Sequence, residues 1–246
     1  MAQQHEHVGM NKTGIQMSPL DTGAMLDADN APVRATPGDE SAMVRMREAY
    51  IAESEGIGSI PVPATVTGMA SMAVGAITGG SPQVLLDKLA ERLAFERTGT
   101  RLYDALLTKA DAMLDGQQVA MTRDAVAAIR ADEARHFLLL REAIESMGGD
   151  PTAQTPSADV VGVEAMGMVQ VLNDPRTSLA QSLHAILSIE LLDNAGWETL
   201  AALAARHGQD DMANRFIAAL EQERRHLATV QSWYQELNGL SGGMPE

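Results

Sequence analysis

Ala131-Asp132-Glu133-Ala134-Arg135-His136 decides how this chain is read, because Gln222-Glu223-Arg224-Arg225-His226 echoes it near the C-terminus. Each stretch holds a Glu and a His three residues apart. On a helix that spacing puts both side chains on one face, about 4.5 Å apart along the axis, where a carboxylate and an imidazole can share one metal ion. A single Glu-x-x-His is common on solvated helices. Two copies, each interrupting an apolar stripe, point to a site.

The chain has 246 residues, 45% of them hydrophobic but only 3% aromatic, with no cysteine and a formal net charge of -15. Abundant Ala, Leu and Met favour helices over sheets, and the length is enough to bury a sizeable core. No basic stripe offsets the acidic charge, so nucleic acid is not an expected partner. The lack of cysteine removes disulfides, thiolate metal sites and any rubredoxin-type iron centre. Residues 1–11 carry neither a basic region nor an apolar core, so no signal peptide is expected. Residues 59–80 are uncharged, but Pro61, Pro63 and many small residues argue against a membrane helix. The cytoplasm is the expected location.

Three regions follow. Residues 1–80 form an N-terminal extension: a loose polar arm at 1–38 with His5 and His7, a short helix at 39–55, and a packing segment at 57–80. The short helix would carry Ala42, Met43, Met46, Ala49 and Tyr50 on one side. The packing segment, with Met69 and Met72, reads as an ordered stretch lying against a flank of the molecule or a partner chain. A homodimer is the expected assembly.

Residues 81–240 hold four long helices, and 241–246 form a tail. The first helix starts with Ser81 as N-cap and Pro82 at its first position and ends before Asp115-Gly116. The second runs from Thr122 to Gly148-Gly149. A long crossover with a short helix over 161–172 leads to Asp174-Pro175, the expected start of the third, which ends at His207-Gly208. His207 reads as a capping cation at that helix end. The fourth runs from Asp210 to Leu237 and stops at Asn238-Gly239. Two short loops around one long crossover suit a ferritin-like bundle.

Acids break every stripe at one level. Glu96 follows Leu89 and Leu93; Glu133 and His136 sit between Ile129 and Leu140; Glu190 follows Ile186; Glu223 and His226 sit between Ala219 and Val230. Each Glu lies roughly 16–24 Å into its helix, so antiparallel packing brings them together near mid-length. Glu190 stands 94 residues after Glu96, and Glu223 stands 90 after Glu133. One hairpin is therefore presented twice, each copy giving Glu and then Glu-x-x-His. A buried unpaired carboxylate costs several kcal/mol, and four together repel one another. No stripe is expected to supply a cation at that level. Two divalent ions would balance four carboxylates, with a neutral imidazole for each, and such donors suit iron or manganese better than structural zinc.

On these residues, 81–240 resembles the ferritin-like di-iron carboxylate superfamily, of the bacterioferritin and rubrerythrin kind. The resemblance implies an all-α four-helix bundle with one long crossover and two iron ions as cofactor, or manganese, or a mixed Mn/Fe pair. It implies Glu133 and Glu223 as bridges, with Glu96 and His136, and Glu190 and His226, as terminal ligands. In bacterioferritin-like proteins an acid before each Glu-x-x-His holds the other half's histidine; Asp132 fits, while Gln222 takes the second place. Tyr103 matches a tyrosine near the metals and a possible redox residue. Asp193 resembles the extra carboxylate of rubrerythrins, or else pairs with a Lys or Arg.

Departures matter too. Ala134 stands where bacterioferritins carry the haem-ligating Met, so no haem is expected, and no short fifth helix follows, so neither is a storage cage. His184 is off the ligand level and reads as a core or interface histidine. Trp197, Trp233 and Tyr234 read as packing. The activity implied is that of an oxidoreductase activating O2 or peroxide (H2O2), drawing electrons from Fe(II) or a small organic substrate. The alternatives are a rubrerythrin-like peroxide reductase and a metal-stabilised structural or interaction protein.

Overall fold

The computed structural model describes residues 20, 23–25, 27, 39–61, 68 and 82–240. The expectations for the arm with His5 and His7, for most of 57–80, for the Ser81 cap and for the tail lie outside those residues. The chain divides after Gly56 into two units. In the first, α1 (Ser41–Glu53) has no buried residue, and the apolar set expected on one of its sides, Met43, Met46 and Tyr50 included, is exposed.

Every regular element among the described residues of the second unit is a helix: α2 (Pro82–Met113), α3 (Arg123–Ser146), α4 (Pro156–Glu164), α5 (Met166–Asn173), α6 (Leu179–Arg206) and α7 (Asp210–Leu237). No helix among the described residues is long and apolar enough to cross a membrane.

Local chemistry sets the ends. Thr122 caps α3 by accepting the Ala125 N–H at 3.1 Å, and Asp124 places a negative charge at the positive end of the helix. Between α6 and α7 the chain reverses in three residues, which requires the positive φ of +68° that Gly208 adopts without a Cβ clash. The start of α6 differs from expectation. Asp174 uses its carboxylate on the Arg176 N–H at 2.9 Å, so Asp174-Pro175 forms a turn. The helix begins at Leu179 behind a capping box in which Ser178 and Gln181 satisfy each other's backbone N–H groups. The crossover also differs: the single helix expected over 161–172 is two, α4 and α5, the former starting earlier at Pro156 behind the Thr155 cap.

The long helices form a ring in which α2 packs on α3 and α6, and α7 packs on α6 and α3. Neighbours are antiparallel. Tyr103 meets Glu190 while Trp197 meets Glu96, and Arg130 meets Asp104 while Arg123 meets Asp111. The crossover lies along α2. Lys109, buried on α2, donates to the carbonyls of Asp174 and Thr177, which ties down the end of the crossover. Inside, the apolar core is split in two. One cluster runs from Tyr103, Leu106, Val126 and Ile186 to Trp233; the other holds Leu89, Leu140, Trp197 and Phe216. Between them lies a polar layer.

Candidate metal centre

The polar layer is made by the residues that break the stripes. Glu96, Glu133, His136, Glu190, Glu223 and His226 are all buried, none more than 4% exposed. They form two overlapping groups that could each hold a metal ion: Glu96, Glu133, His136 and Glu223, and Glu133, Glu190, Glu223 and His226. Within each group one donor atom per residue lies within 4.8 Å of the others. Glu133 and Glu223 belong to both.

The imidazoles face inward through Nδ1. His136 Nδ1 lies 2.5 Å from Glu223 Oε1; His226 Nδ1 lies 3.0 Å from Glu223 Oε2 and 3.5 Å from Glu133 Oε1. Outside, His226 Nε2 lies 3.0 Å from Asp132 Oδ2, the contact expected of Asp132. The other half lacks it: His136 Nε2 is buried without a hydrogen-bond partner, and its ring meets the edge of Trp197 instead. Gln222, half-buried, makes no hydrogen bond to that imidazole.

Each terminal carboxylate is held from across the ring. Tyr103 donates its hydroxyl to Glu190 Oε1, and Trp197 donates its Nε1–H to Glu96 Oε1 at 3.0 Å. Trp197 is more than packing, and a signal for this was available: it follows Glu190 by seven residues, as Tyr103 follows Glu96. His184 is exposed on α6 with its ring beside Tyr234, so it is not a core residue.

One expectation is overturned. A cation does enter this layer: Arg92, 4% exposed, lies with Nε 3.5 Å from Glu96 Oε1 and Nη2 3.2 Å from Asp193 Oδ1. Its guanidinium stacks over the Phe95 ring at 3.7 Å. Asp193, itself buried, therefore pairs with arginine and belongs to neither donor group. Five buried carboxylates against one guanidinium leave four negative charges, which two divalent ions would match.

Without ions the layer is strained electrostatically. Burial, followed by the charge of Glu133, pushes Glu96 well above the ordinary carboxylate range. Burial also raises Glu133, although the His226 imidazole beside it pulls the other way. Glu190 is pushed up to about 8 by burial and by the charge of Glu223. Burial would raise Glu223 too, but both imidazoles outweigh it and hold that acid below the usual range. Four buried oxygens of the donor set, Glu96 Oε2, Glu133 Oε1, Glu190 Oε2 and Glu223 Oε1, have no hydrogen-bond partner, although those of Glu133 and Glu223 lie near an imidazole Nδ1. Buried polar atoms are rarely left so, and a cation is the group that would satisfy acceptors alone. The donor set fits a metal pair.

No protein-family model, curated protein or solved structure matches the chain.

Beside the layer, a pocket of about 230 Å³ opens between α2, α4 and α6 and ends on Arg92, Phe95, Leu192 and Gly196. Residue 196 has no side chain, and a Cβ there would overlap Arg92 Nη1. Gly99 has the same relation to Glu133, whose Oε2 would lie 2.5 Å from an added Cβ. Both glycines leave room for a charged side chain to cross between helices.

Proposed function

We propose that this protein is a ferritin-like four-helix bundle that holds two iron ions and reduces O2 with electrons from Fe(II) or a small organic substrate. The observation that carries the reading is the pair of buried donor groups sharing Glu133 and Glu223, with carboxylate oxygens that nothing else satisfies. The antiparallel ring with one long crossover supports the fold. Glu133 and Glu223 would bridge, with Glu96 and His136 at one position and Glu190 and His226 at the other. When bound, a ferrous pair supplies electrons to O2 or peroxide; manganese, or one ion of each, suits the same donors.

The remaining work falls to the chain. Apolar clusters on both sides of the layer exclude water, which strengthens every charge interaction inside it. Asp132 fixes the orientation of the His226 ring, leaving Nδ1 for the interior. Tyr103 and Trp197 hold one oxygen each of Glu190 and Glu96 and leave the other free. The Tyr103 hydroxyl keeps its proton firmly, since burial and the charge of Glu190 raise it well above the usual phenol range.

Adding Fe(II) to metal-free protein in air should give a near-ultraviolet band from a ferric pair and two ions bound per chain. Glu133→Ala, which removes a donor from both groups, should lose both. A flat spectrum, or metal retained by that variant, would refute the assignment. Spectroscopically silent metal that only raises the melting temperature would favour a structural protein instead. The peroxide-reducing alternative calls on Asp193 as a ligand, and the Arg92 contact speaks against it. A strong preference for H2O2 over O2 in reoxidation, lost in Asp193→Ala, would restore that alternative.

A further inference from the structure

We infer that the two metal positions are unequal: the one between Glu190 and His226 holds its ion tightly, while the one between Glu96 and His136 holds its ion loosely and exchanges it through the pocket ending on Arg92. This rests on the dinuclear reading above and adds to it an order of filling.

The hairpin repeat makes the inequality visible, because each position can be compared with its counterpart. Ile186, buried and apolar, stands four residues before Glu190 where Arg92 stands before Glu96. Only one half carries a guanidinium. A divalent ion on Glu96 would share that carboxylate with a fixed positive charge in a poorly screened interior, where like charges repel far more than in water. The Asp193 carboxylate, 3.2 Å from Nη2, offsets part of that charge, but Nε still faces Glu96 Oε1 at 3.5 Å.

The second break is at the histidines. His226 has Asp132 behind it, which orients the ring and raises its basicity; the corresponding residue for His136 is Gln222, and His136 Nε2 has no partner. Loss of such a supporting acid weakens metal affinity by about 10–100-fold. The aromatic donors do not discriminate, since Tyr103 and Trp197 give each terminal carboxylate one hydrogen bond. Both differences that remain favour the Glu190 and His226 position.

Access follows the same division. The pocket of about 230 Å³ is lined by no ligand of either position, but it ends on Arg92, whose Nε lies 3.5 Å from Glu96 Oε1, so it borders the Glu96 and His136 position through that one side chain. Arg92 is held there by charge and stacking more than by hydrogen bonds. Its Nε and Nη2 have no hydrogen-bond partner, and Nη1 reaches the carbonyls of Leu192 and Asp193 only at 3.5 Å. Turning this one side chain outward would uncover Glu96 from the pocket side.

Titrating the metal-free full chain with Mn(II) tests this by calorimetry and electron paramagnetic resonance. The first equivalent should give the six-line signal of an isolated Mn(II), which the second should diminish by magnetic coupling. The two steps should differ by at least about tenfold in affinity. Asp132→Asn should weaken the first step by about tenfold or more and leave the second nearly unchanged. Arg92→Met should tighten the second step alone. If Arg92→Met does not fold, Asp132→Asn decides: a first step unmoved by it overturns the inference. Two equal steps in the unmodified protein, or coupled signal from the first equivalent onward, would also overturn it while leaving the dinuclear reading intact. Failure to bind Mn(II) at all would take both down.

Discussion

Arg92 reaches the middle of the molecule only because residue 196 is glycine. The guanidinium passes through the space a Cβ would occupy, so Gly196→Ala must displace it or push α2 from α6. Overpacking of this kind costs about 1–3 kcal/mol. Urea unfolding of the metal-free protein should show that loss, and in an Arg92→Met background most of it should vanish, because the overlapping atoms are gone. An equal loss in both backgrounds would mean that the alanine is resisted by backbone and not by the arginine. This pair also marks where reading by residue gave out. Glu96, Glu133, His136, Glu190, Glu223 and His226 were legible because each breaks an apolar period on its own helix. Arg92 stands four residues before Glu96, and that spacing ordinarily describes an exposed ion pair. What buries it is a missing side chain 104 residues away on another helix, and no periodicity of α2 contains that.

At the scale of the element, stop signals were more readable than starts. Glycines after α3, α6 and α7 have positive φ, as their places in the sequence suggested. The start of α6 was misread because two valid signals stand within five residues: Asp174-Pro175, and Ser178 with Gln181 three further on. Tertiary contacts choose between them. Lys109 draws the carbonyls of Asp174 and Thr177 and the Thr177 hydroxyl toward α2, which holds this stretch out of a helix and leaves Ser178 to cap. Ser178 Oγ accepts the Gln181 N–H at 3.2 Å, and Gln181 Oε1 accepts the Ser178 N–H at 2.9 Å. Ser178→Ala should therefore destabilise the protein by about 1 kcal/mol in thermal or urea unfolding. The same change should leave bound metal unaltered, since the nearest candidate ligand, Glu190, lies three turns along the helix. Loss of metal in this variant would mean that the start of α6 sets the geometry of the site.

For the whole molecule, the buried layer makes stability depend on pH in a direction opposite to ordinary surface ion pairs. Glu190 and His226 act in the neutral range, and Glu96, Glu133 and Asp193, which burial also raises well above the ordinary carboxylate range, act in the same direction. Glu190, pushed up to about 8 by burial and by Glu223, binds its proton more firmly folded than unfolded. Burial lowers His226, but Glu133 and Glu223 outweigh it and hold that imidazole up to about 10. A group whose folded value is raised contributes stability that is complete below its unfolded value and lost as pH climbs through the folded one. For Glu190 the loss runs from about 4.5 to about 8, and for His226 from 6.5 to about 10. Glu223, held low, acts oppositely, but its contribution is lost only as pH falls below the ordinary carboxylate range. Metal-free protein should therefore melt at progressively lower temperature between pH 6 and pH 9. Divalent ions reverse this, because they take the places of the protons and bind more firmly where those protons leave. Ions at a hundredfold excess over their dissociation constant should raise the melting temperature by on the order of 5–10 °C, and the gap between loaded and free protein should widen from pH 6 to pH 9. Calorimetry on both forms at four pH values separates the possibilities. A gap independent of pH would place the bound ions on the acidic surface, away from the layer formed by Glu133 and Glu223.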